Sequence, residues 1–282
     1  MKADVIIVGA GPGGALAAQR LAATGLRVMI LEKECLPRHK ACGGGLSPSV
    51  KSLFDWDLTP WVENTIAGRK FLFNYTQPHR ERAAPLWAVD RTSFDAHLVE
   101  RALASGNGNV ALRDGFPVCR VTESETGVVA CGKTGERVQA SFLVGADGAT
   151  GPVARNLGLN PGGTRGVAIE AEVESSPEIF AAEKQAATFN FFCLPHGYGW
   201  VFPRRDGLLN CGVCAWAGHP RLPEALGEFL ARSFPAGKIR LAQTYVHTIP
   251  LYSGHKAIAS RRTCLVGDAA SLVDPVMGEG IR

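Results

Sequence analysis

The hydrophobic and polar positions change period along the chain, and the changes mark out its elements. "DVIIVGA" (Asp4–Ala10) is an apolar run too short for a helix, which predicts a strand. "GPGGALAAQRLAATG" (Gly11–Gly25) is alanine-rich and ends on a glycine stop, which predicts a helix. "LRVMILEK" (Leu26–Lys33) is the second strand. This strand–helix–strand start argues for a parallel sheet with helices on its faces. A loop-like stretch follows, Cys35–Leu46, holding Pro37 and the consecutive glycines Gly43, Gly44 and Gly45. "RTSFDAHLVERALASG" (Arg91–Gly106) has helical spacing and a glycine stop. "NVALRDG" follows as a strand, and "ERVQASFLVGADGATG" (Glu136–Gly151) ends a strand in another glycine-rich turn.

From about Gly166 the pattern shortens. "GVAIEAEVE" alternates apolar and polar, while "AATFNFFCL", "YGWVFP" and "GLLNCGVCAW" are short, β-branched or aromatic, and bounded by turn residues. These predict an antiparallel sheet, interrupted by a helix at "LPEALGEFLARSF" and resumed at "LAQTYVHTIPL". The last segment, "RTCLVGDAASLVDPVMGEGIR", returns to a strand and a glycine turn. The chain therefore reads as α/β, a Rossmann-like nucleotide fold with an inserted, mainly antiparallel β-sheet. The expected boundaries are 1–165, with a β excursion near 66–88, then 166–250 for the insertion and 251–282 for the return segment.

Composition excludes several classes. Of 282 residues, 46% are hydrophobic and 20% charged, an ordinary globular balance that allows one or two domains. A net charge of +4 is too mild for a nucleic-acid binder, and the short basic clusters Arg38–Lys40, Arg204–Arg205 and Arg261–Arg262 read as solvated surface. No apolar run approaches the roughly 18 residues of a membrane span. The N-terminal apolar stretch is too short for a signal peptide and runs straight into a glycine motif. Eight cysteines without an export signal predict free thiols and a cytoplasmic setting. "CGVC" (Cys211–Cys214) has redox or metal spacing, but it lacks a second pair and lies in an apolar strand-like run, so it reads as structural. No metal site is expected.

The chemistry begins at "GAGPGG" (Gly9–Gly14), which fits G-x-G-x-x-G. It follows a strand and opens a helix, the context in which the motif has a physical meaning. Its glycines allow a tight turn and close approach of a pyrophosphate, and the helix start offers amides and a positive dipole end. Glu32 ends the second strand at about the distance where an acid takes a ribose 2′-hydroxyl and disfavours a 2′-phosphate.

Two later segments give the motif a family context. "VGADGATGP" (Val144–Pro152) and "LVGDAASLVDPVMGEG" (Leu265–Gly280) resemble the second and third fingerprints of the p-hydroxybenzoate-hydroxylase type of flavoproteins. The resemblance implies FAD, whose ADP half would meet Gly9, Gly11, Pro12, Gly13, Gly14, Glu32 and Lys33. Arg91 would face the FAD phosphates. Asp147, with Gly148, would lie near the pyrophosphate and a passing nicotinamide. Asp268, with Gly267, would meet the ribityl chain. Pro275 and the amides of Gly278 to Gly280 would hold the N1/O2 edge of reduced flavin. No second G-x-G-x-x-G stands ready for a separately housed NAD(P)H.

Within that superfamily, "PRHKACGGGLS" (Pro37–Ser47) and "PHGYGWVFPR" (Pro195–Arg204) resemble motifs of the geranylgeranyl reductase family. The second fits P-x-x-Y-x-W-x-F-P throughout. The resemblance spans essentially the whole chain and makes the insertion a substrate domain within an FAD-binding domain. It implies reduction of isolated C=C bonds in an isoprenoid (geranylgeranyl-type) chain by hydride from flavin N5, with a proton to the other carbon. Cys42 and Tyr198 are the candidate proton donors, and Arg38, Cys42, Gly43 and Gly44 would border the flavin. Arg38 and Lys40 could give Cys42 an electropositive setting, or contact FAD or a substrate diphosphate. Tyr198, Trp200 and Phe202 alternate, so on a strand they share a face, which can line an apolar channel or be plain core. Tyr198 and Trp200 are taken as substrate residues and Phe202 is left open, while His196 reads as structural. NAD(P)H and a ferredoxin-like protein both stand as electron donors. The apolar substrate implies at most peripheral membrane contact. A flavin-dependent aromatic hydroxylase and a nucleotide-binding protein without catalysis are the competing readings. Chains of the family continue past the equivalent of Arg282, into the helix that "GEGIR" begins, so a shortened chain with weakened flavin binding is the expectation.

Overall fold

The computed structural model describes residues 3–81, 85–217, 221–254 and 257–281, with backbone alone at 77–81. Contacts divide the chain into two units. One comprises Met1–His39, Thr92–Thr164 and Pro250–Ile281, and the other Lys40–Arg91 and Arg165–Ile249.

Among the described residues, the first unit carries a five-stranded sheet in the order Thr263–Leu265, Phe142–Gly145, Val5–Val8, Val28–Leu31, Val110–Arg113. Every pairing in it is parallel. The central strand, "VIIV", is buried at all four positions, as a parallel strand covered on both faces must be. The helix Pro12–Ala22 links the first two strands, and Arg91–Ser105 precedes the edge strand. Ile6, Val8, Leu31, Leu143 and Leu265 share a core cluster with Phe116, Val121, Val128 and Ala130. Those last residues belong to, or lead into, an antiparallel meander of Val118–Glu123, Val128–Gly132 and Arg137–Ala140, which periodicity did not separate from its surroundings.

The second unit is built on a seven-stranded sheet. Its order is Ile239–Leu251, Thr164–Ser175, Leu208–Ala215, Gly197–Pro203, Ala186–Phe191, Gly68–Phe73, Thr76–Glu81. Antiparallel pairing runs through its middle strands, and Ala186–Phe191 pairs in parallel with Gly68–Phe73. Within the expected β segment near 66–88, Gly68–Phe73 and Thr76–Glu81 thus extend the sheet of the inserted strands, and Phe71 stacks on Phe189 at 5.6 Å between ring centroids. The remaining strands of that region, Gly45–Leu46, Leu86–Val89 and Val62–Ile66, form a small antiparallel sheet.

The large sheet has two unlike faces, as a period of two requires. Ile169, Ala171, Val173, Val201, Leu209, Cys211, Val213 and Ala215 pack with Leu226, Phe229 and Leu230 of the helix Leu222–Ser233. The opposite face carries the aromatic residues and a buried acid. Cys211 and Cys214, three residues apart on one strand, fall on opposite faces. Burial raises both thiols, Cys214 to about 12.

Candidate functional site

In the first unit the glycine turn takes the form that the motif predicts. Gly9 adopts φ +104°, and a Cβ on Gly14 would run into the Gly9 carbonyl, so strand and helix pack backbone to backbone. The helix starts at Pro12, with Gly11 as an N-cap that brings no side-chain hydrogen bond. The cap residue therefore takes none of its first amides, an arrangement that suits an anionic ligand. A Cβ built on Gly11 meets one neighbour within 4 Å, the Arg38 guanidinium at 3.9 Å. An open glycine, an uncapped helix start and a bordering cation together fit a dinucleotide pyrophosphate.

Arg38 is held in place rather than solvated. Its Nη1 donates to Asp95 at 3.1 Å, and its Nε lies 3.6 Å from Glu32. Glu32 is itself buried and accepts from the Ala10 amide at 2.7 Å and the Glu34 amide at 3.2 Å. The carboxylate ties the glycine loop to the end of the second strand. Lys33 is exposed beside Glu34. Arg91 opens its helix and is buried.

The second and third fingerprints lie in the same unit. The Asp147 carboxylate accepts from the Val153 amide at 2.8 Å at the start of the helix Pro152–Asn156, and burial raises it. Gly148 and Gly267, both at positive φ, leave open space where a Cβ would sit. Asp268 is the second residue of a short helical turn, Gly267–Ala270. The Gly278 to Gly280 stretch differs from expectation. Among the described residues it is not helical, and the Gly278 amide donates to the Asp274 carbonyl at 3.0 Å. The Asp274 side chain takes the Val276 and Met277 amides, so these two donors of the turn after Pro275 are partnered within the protein.

In the second unit the aromatic alternation produces one continuous surface. Tyr198, Trp200 and Phe202 share a face of the sheet, and all three are buried. Tyr198 lies against Phe189, Phe191 and Trp216, at centroid distances of 6.1, 5.5 and 5.8 Å. From Phe191 the rings continue through Phe73 to Phe192, which is 69% exposed. The result is an aromatic track from a buried centre to the surface.

The Cys42 loop closes on that centre. A Cβ on Gly43 would lie 3.0 Å from Phe202 and 3.2 Å from the Trp200 indole nitrogen. Gly44, at φ +70°, has the Val89 carbonyl where a Cβ would be. The glycine run thus has partners within the protein: it lets the loop lie flat on the aromatic face. Cys42 is half-buried, and its sulfur accepts from the Gly44 amide at 3.4 Å.

Sequence reasoning missed Glu170. This carboxylate accepts from the Cys42 amide at 2.8 Å and from Asn210 Nδ2 at 3.1 Å, both at Oε2. Asn210 Oδ1 accepts in turn from the Trp200 indole at 2.8 Å. Glu170 is 3% exposed, and burial pushes its pKa up to about 7. The bonds from Asn210 and Cys42 pull the other way, Glu172 adds to the rise and Lys40 opposes it. The sequence signal was the polar phase of "GVAIEAEVE", which periodicity alone cannot tell from a solvated face.

Arg204 corrects the reading of its basic pair as solvated surface. It is buried, with Nε 2.5 Å from Glu63, Nη1 3.0 Å from Glu172 and Nη2 3.5 Å from Asp90. Three carboxylates converge there, and a buried guanidinium is stable only when paired. Arg205 is exposed, as expected, while pairing with Glu63 at 3.1 Å. His196 is exposed in a turn. Among the described residues no His, Cys, Asp and Glu cluster could hold a metal ion, and no helix is long and apolar enough to cross a membrane.

Comparison with known proteins gives the chain its family. The family described as FAD binding domain matches residues 2–52 and 73–229. A menaquinone reductase of Mycolicibacterium smegmatis is 30% identical over 304 residues, covering 99% of this chain and 73% of its own length. A digeranylgeranylglycerophospholipid reductase of Methanocella arvoryzae is 30% identical over 307 residues, with the same coverage of each chain. Among solved structures, a geranylgeranyl bacteriochlorophyll reductase-like protein from Thermoplasma acidophilum superposes with a TM-score of 0.87 at 24% identity. That match covers 99% of this chain and 74% of the other, and it supports the fold. The chain belongs to the geranylgeranyl reductase family of FAD-binding flavoproteins, an oxidoreductase with FAD as its cofactor.

Proposed function

We propose that this protein reduces isolated C=C bonds in a prenyl chain of the geranylgeranyl type. The observation that carries the reading is the aromatic track of the second unit, from Trp200 and Tyr198 out to Phe192. A long apolar chain gains most from a continuous apolar wall that excludes water. The name of the Methanocella arvoryzae relative points to the same substrate class.

When bound, reduced FAD supplies a hydride. The residues of this chain supply the rest. Gly11, Gly13, Gly14 and the helix start at Pro12 hold the pyrophosphate, with Arg38 beside them and Glu32 toward the ribose. Gly9 sets the turn. Arg91, Asp147, Gly148, Gly267, Asp268, Pro275, Gly278 and Gly280 are proposed to line the remaining length of the cofactor, and Lys33 the rim near the ribose. Trp200 and Tyr198 orient the alkene and keep it dry, which an unactivated acceptor demands. Cys42, with Gly43 and Gly44, borders the reacting bond, and Cys42 or Tyr198 holds the proton for the second carbon. NAD(P)H or a ferredoxin-like protein serves as the electron donor. A bilayer-resident substrate makes peripheral membrane contact part of the proposal.

The test is anaerobic. Chemically reduced, FAD-loaded protein is mixed with geranylgeranyl lipids, and the flavin spectrum and product mass are followed. Flavin reoxidation with a gain of two hydrogens per reduced bond supports the proposal. Substrate oxidation that requires oxygen, or no saturation across a panel of prenyl compounds, overturns it.

A further inference from the structure

The reading above leaves unexplained why an acid is buried against the loop that carries Cys42. That acid accepts hydrogen bonds from two directions. The Cys42 amide and Asn210 Nδ2 both donate to Glu170 Oε2, and the Trp200 indole donates to Asn210 Oδ1. Asn210 Nδ2 also lies 3.4 Å from the Cys42 carbonyl. None of these bonds needs a proton on Glu170. An ionised acceptor holds such donors more tightly than a neutral acid does, whereas burial favours the neutral acid. Two opposed tendencies therefore meet at one atom.

The charged and titratable groups around Glu170 come from several elements. Glu172 stands two residues along the same strand face and is fixed by Arg204 at 3.0 Å. Lys40 precedes the Cys42 loop, with its Nζ 2.7 Å from His247 Nε2 on the strand Ile239–Leu251. Tyr245 lies on that strand too, and its hydroxyl is raised by burial and by both acids. Glu172 disfavours the Glu170 anion and Lys40 favours it, and their balance with burial brings its titration to about 7.

We propose that Glu170 is a positioning residue that couples the site to pH: its anion clamps the Cys42 amide and, through Asn210, the Trp200 indole, and its neutral form relaxes both. The inference deepens the proposed reductase reading, because Cys42 and Trp200 are the residues which that reading places beside substrate.

The experiment needs no turnover, so its failure and that of the reductase reading are separate results. The full chain, with FAD added, is labelled with ¹⁵N at cysteine and tryptophan. The Cys42 amide and Trp200 indole signals are followed from about pH 5.5 to about pH 8.5. Both signals shift with one shared midpoint near 7 in the wild type and stay flat in Glu170→Gln. Flat signals in the wild type overturn the proposal. So does an unchanged titration in Glu170→Gln, which would assign it to a group other than Glu170. Asn210→Leu provides a second variant: the Cys42 amide continues to titrate and the indole stops. If the two still move together there, the link through Asn210 is wrong.

Discussion

Replacing Glu170 by glutamine should stabilise the protein at high pH and leave it nearly unchanged at low pH. The ordinary carboxyl value is 4.5, and in the fold Glu170 titrates at about 7. Each pKa unit corresponds to about 1.36 kcal/mol, so the folded state holds this proton more tightly by about 3 kcal/mol. The sign follows from proton counts. Below 4.5 both folded and unfolded chains carry the proton, and the acid costs the fold nothing. As pH rises toward about 7, the unfolded chain releases its proton first and stability falls; above that, the full cost of the buried anion is present. Glutamine keeps an oxygen for the Cys42 and Asn210 donors and carries no charge, so whatever fixed cost it brings does not vary with pH. The gap between variant and wild type should widen by about 2–3 kcal/mol between pH 5 and pH 8.5, or roughly 5–10 °C in melting temperature. Urea and thermal denaturation at closely spaced pH values measure it. A gap that stays constant, or a variant that loses ground as pH rises, would refute the reasoning.

Arg204→Met should cost about 3–5 kcal/mol at neutral pH, because it leaves Glu63, Glu172 and Asp90 facing one another in a buried site; the urea midpoint reads this, and Arg204→Lys should recover part of the loss. Gly43→Ala should destabilise by about 1–3 kcal/mol by overpacking Phe202 and the Trp200 ring. Gly44→Ala should cost more, since it adds a positive φ and a clash with the Val89 carbonyl, and the same denaturation series ranks the two. Gly11→Ala should leave the melting temperature of the FAD-free protein within about 1 kcal/mol of wild type, because Gly11 sits at a helix N-cap with open space around it. Its FAD affinity, measured by flavin fluorescence titration, should fall by about tenfold or more, as the added methyl group fills the pyrophosphate cradle.

The dinucleotide half of the fold was legible because its signals are local. A strand, a glycine turn, a helix start and an acid at the end of the second strand lie within Asp4–Lys33, and each is dictated by its own neighbours in the chain. The aromatic face was legible for a similar reason: Tyr198, Trp200 and Phe202 share a side of any strand they form. What failed was reading polar positions. Arg204 and Glu170 look like surface residues by type, yet both are buried, because their partners come from far along the chain. Arg204 meets Glu63, 141 residues away, and the Cys42 amide meets Glu170 across 128. No window of the sequence holds both ends of such a pair. The membership of Gly68–Phe73 in the large sheet is a case of the same kind, since a parallel pairing with Ala186–Phe191 leaves no turn signal between the partners.

The polar line in the second unit follows step by step from packing. Gly212 has no side chain, so the Trp200 indole lies flat over it; a Cβ there would run into the ring. An indole buried in this way needs an acceptor for its N–H, and Asn210 provides one at 2.8 Å. Asn210 then presents its own amide hydrogens to the interior, and Glu170 takes one of them. The absence of a side chain at Gly43 and Gly45 lets the Cys42 loop settle against Phe202. That settling takes the Cys42 amide away from solvent and turns it toward the sheet, where Glu170 is already in place to accept it. An apolar residue at 170 would strand the Cys42 amide, at a cost of about 1–3 kcal/mol, and leave Asn210 with only the Cys42 carbonyl at 3.4 Å. A glutamine would satisfy them without a charge. The choice of an acid over its amide is therefore the one step in the line that packing does not demand, and it is the step that makes the hold on Cys42 sensitive to pH.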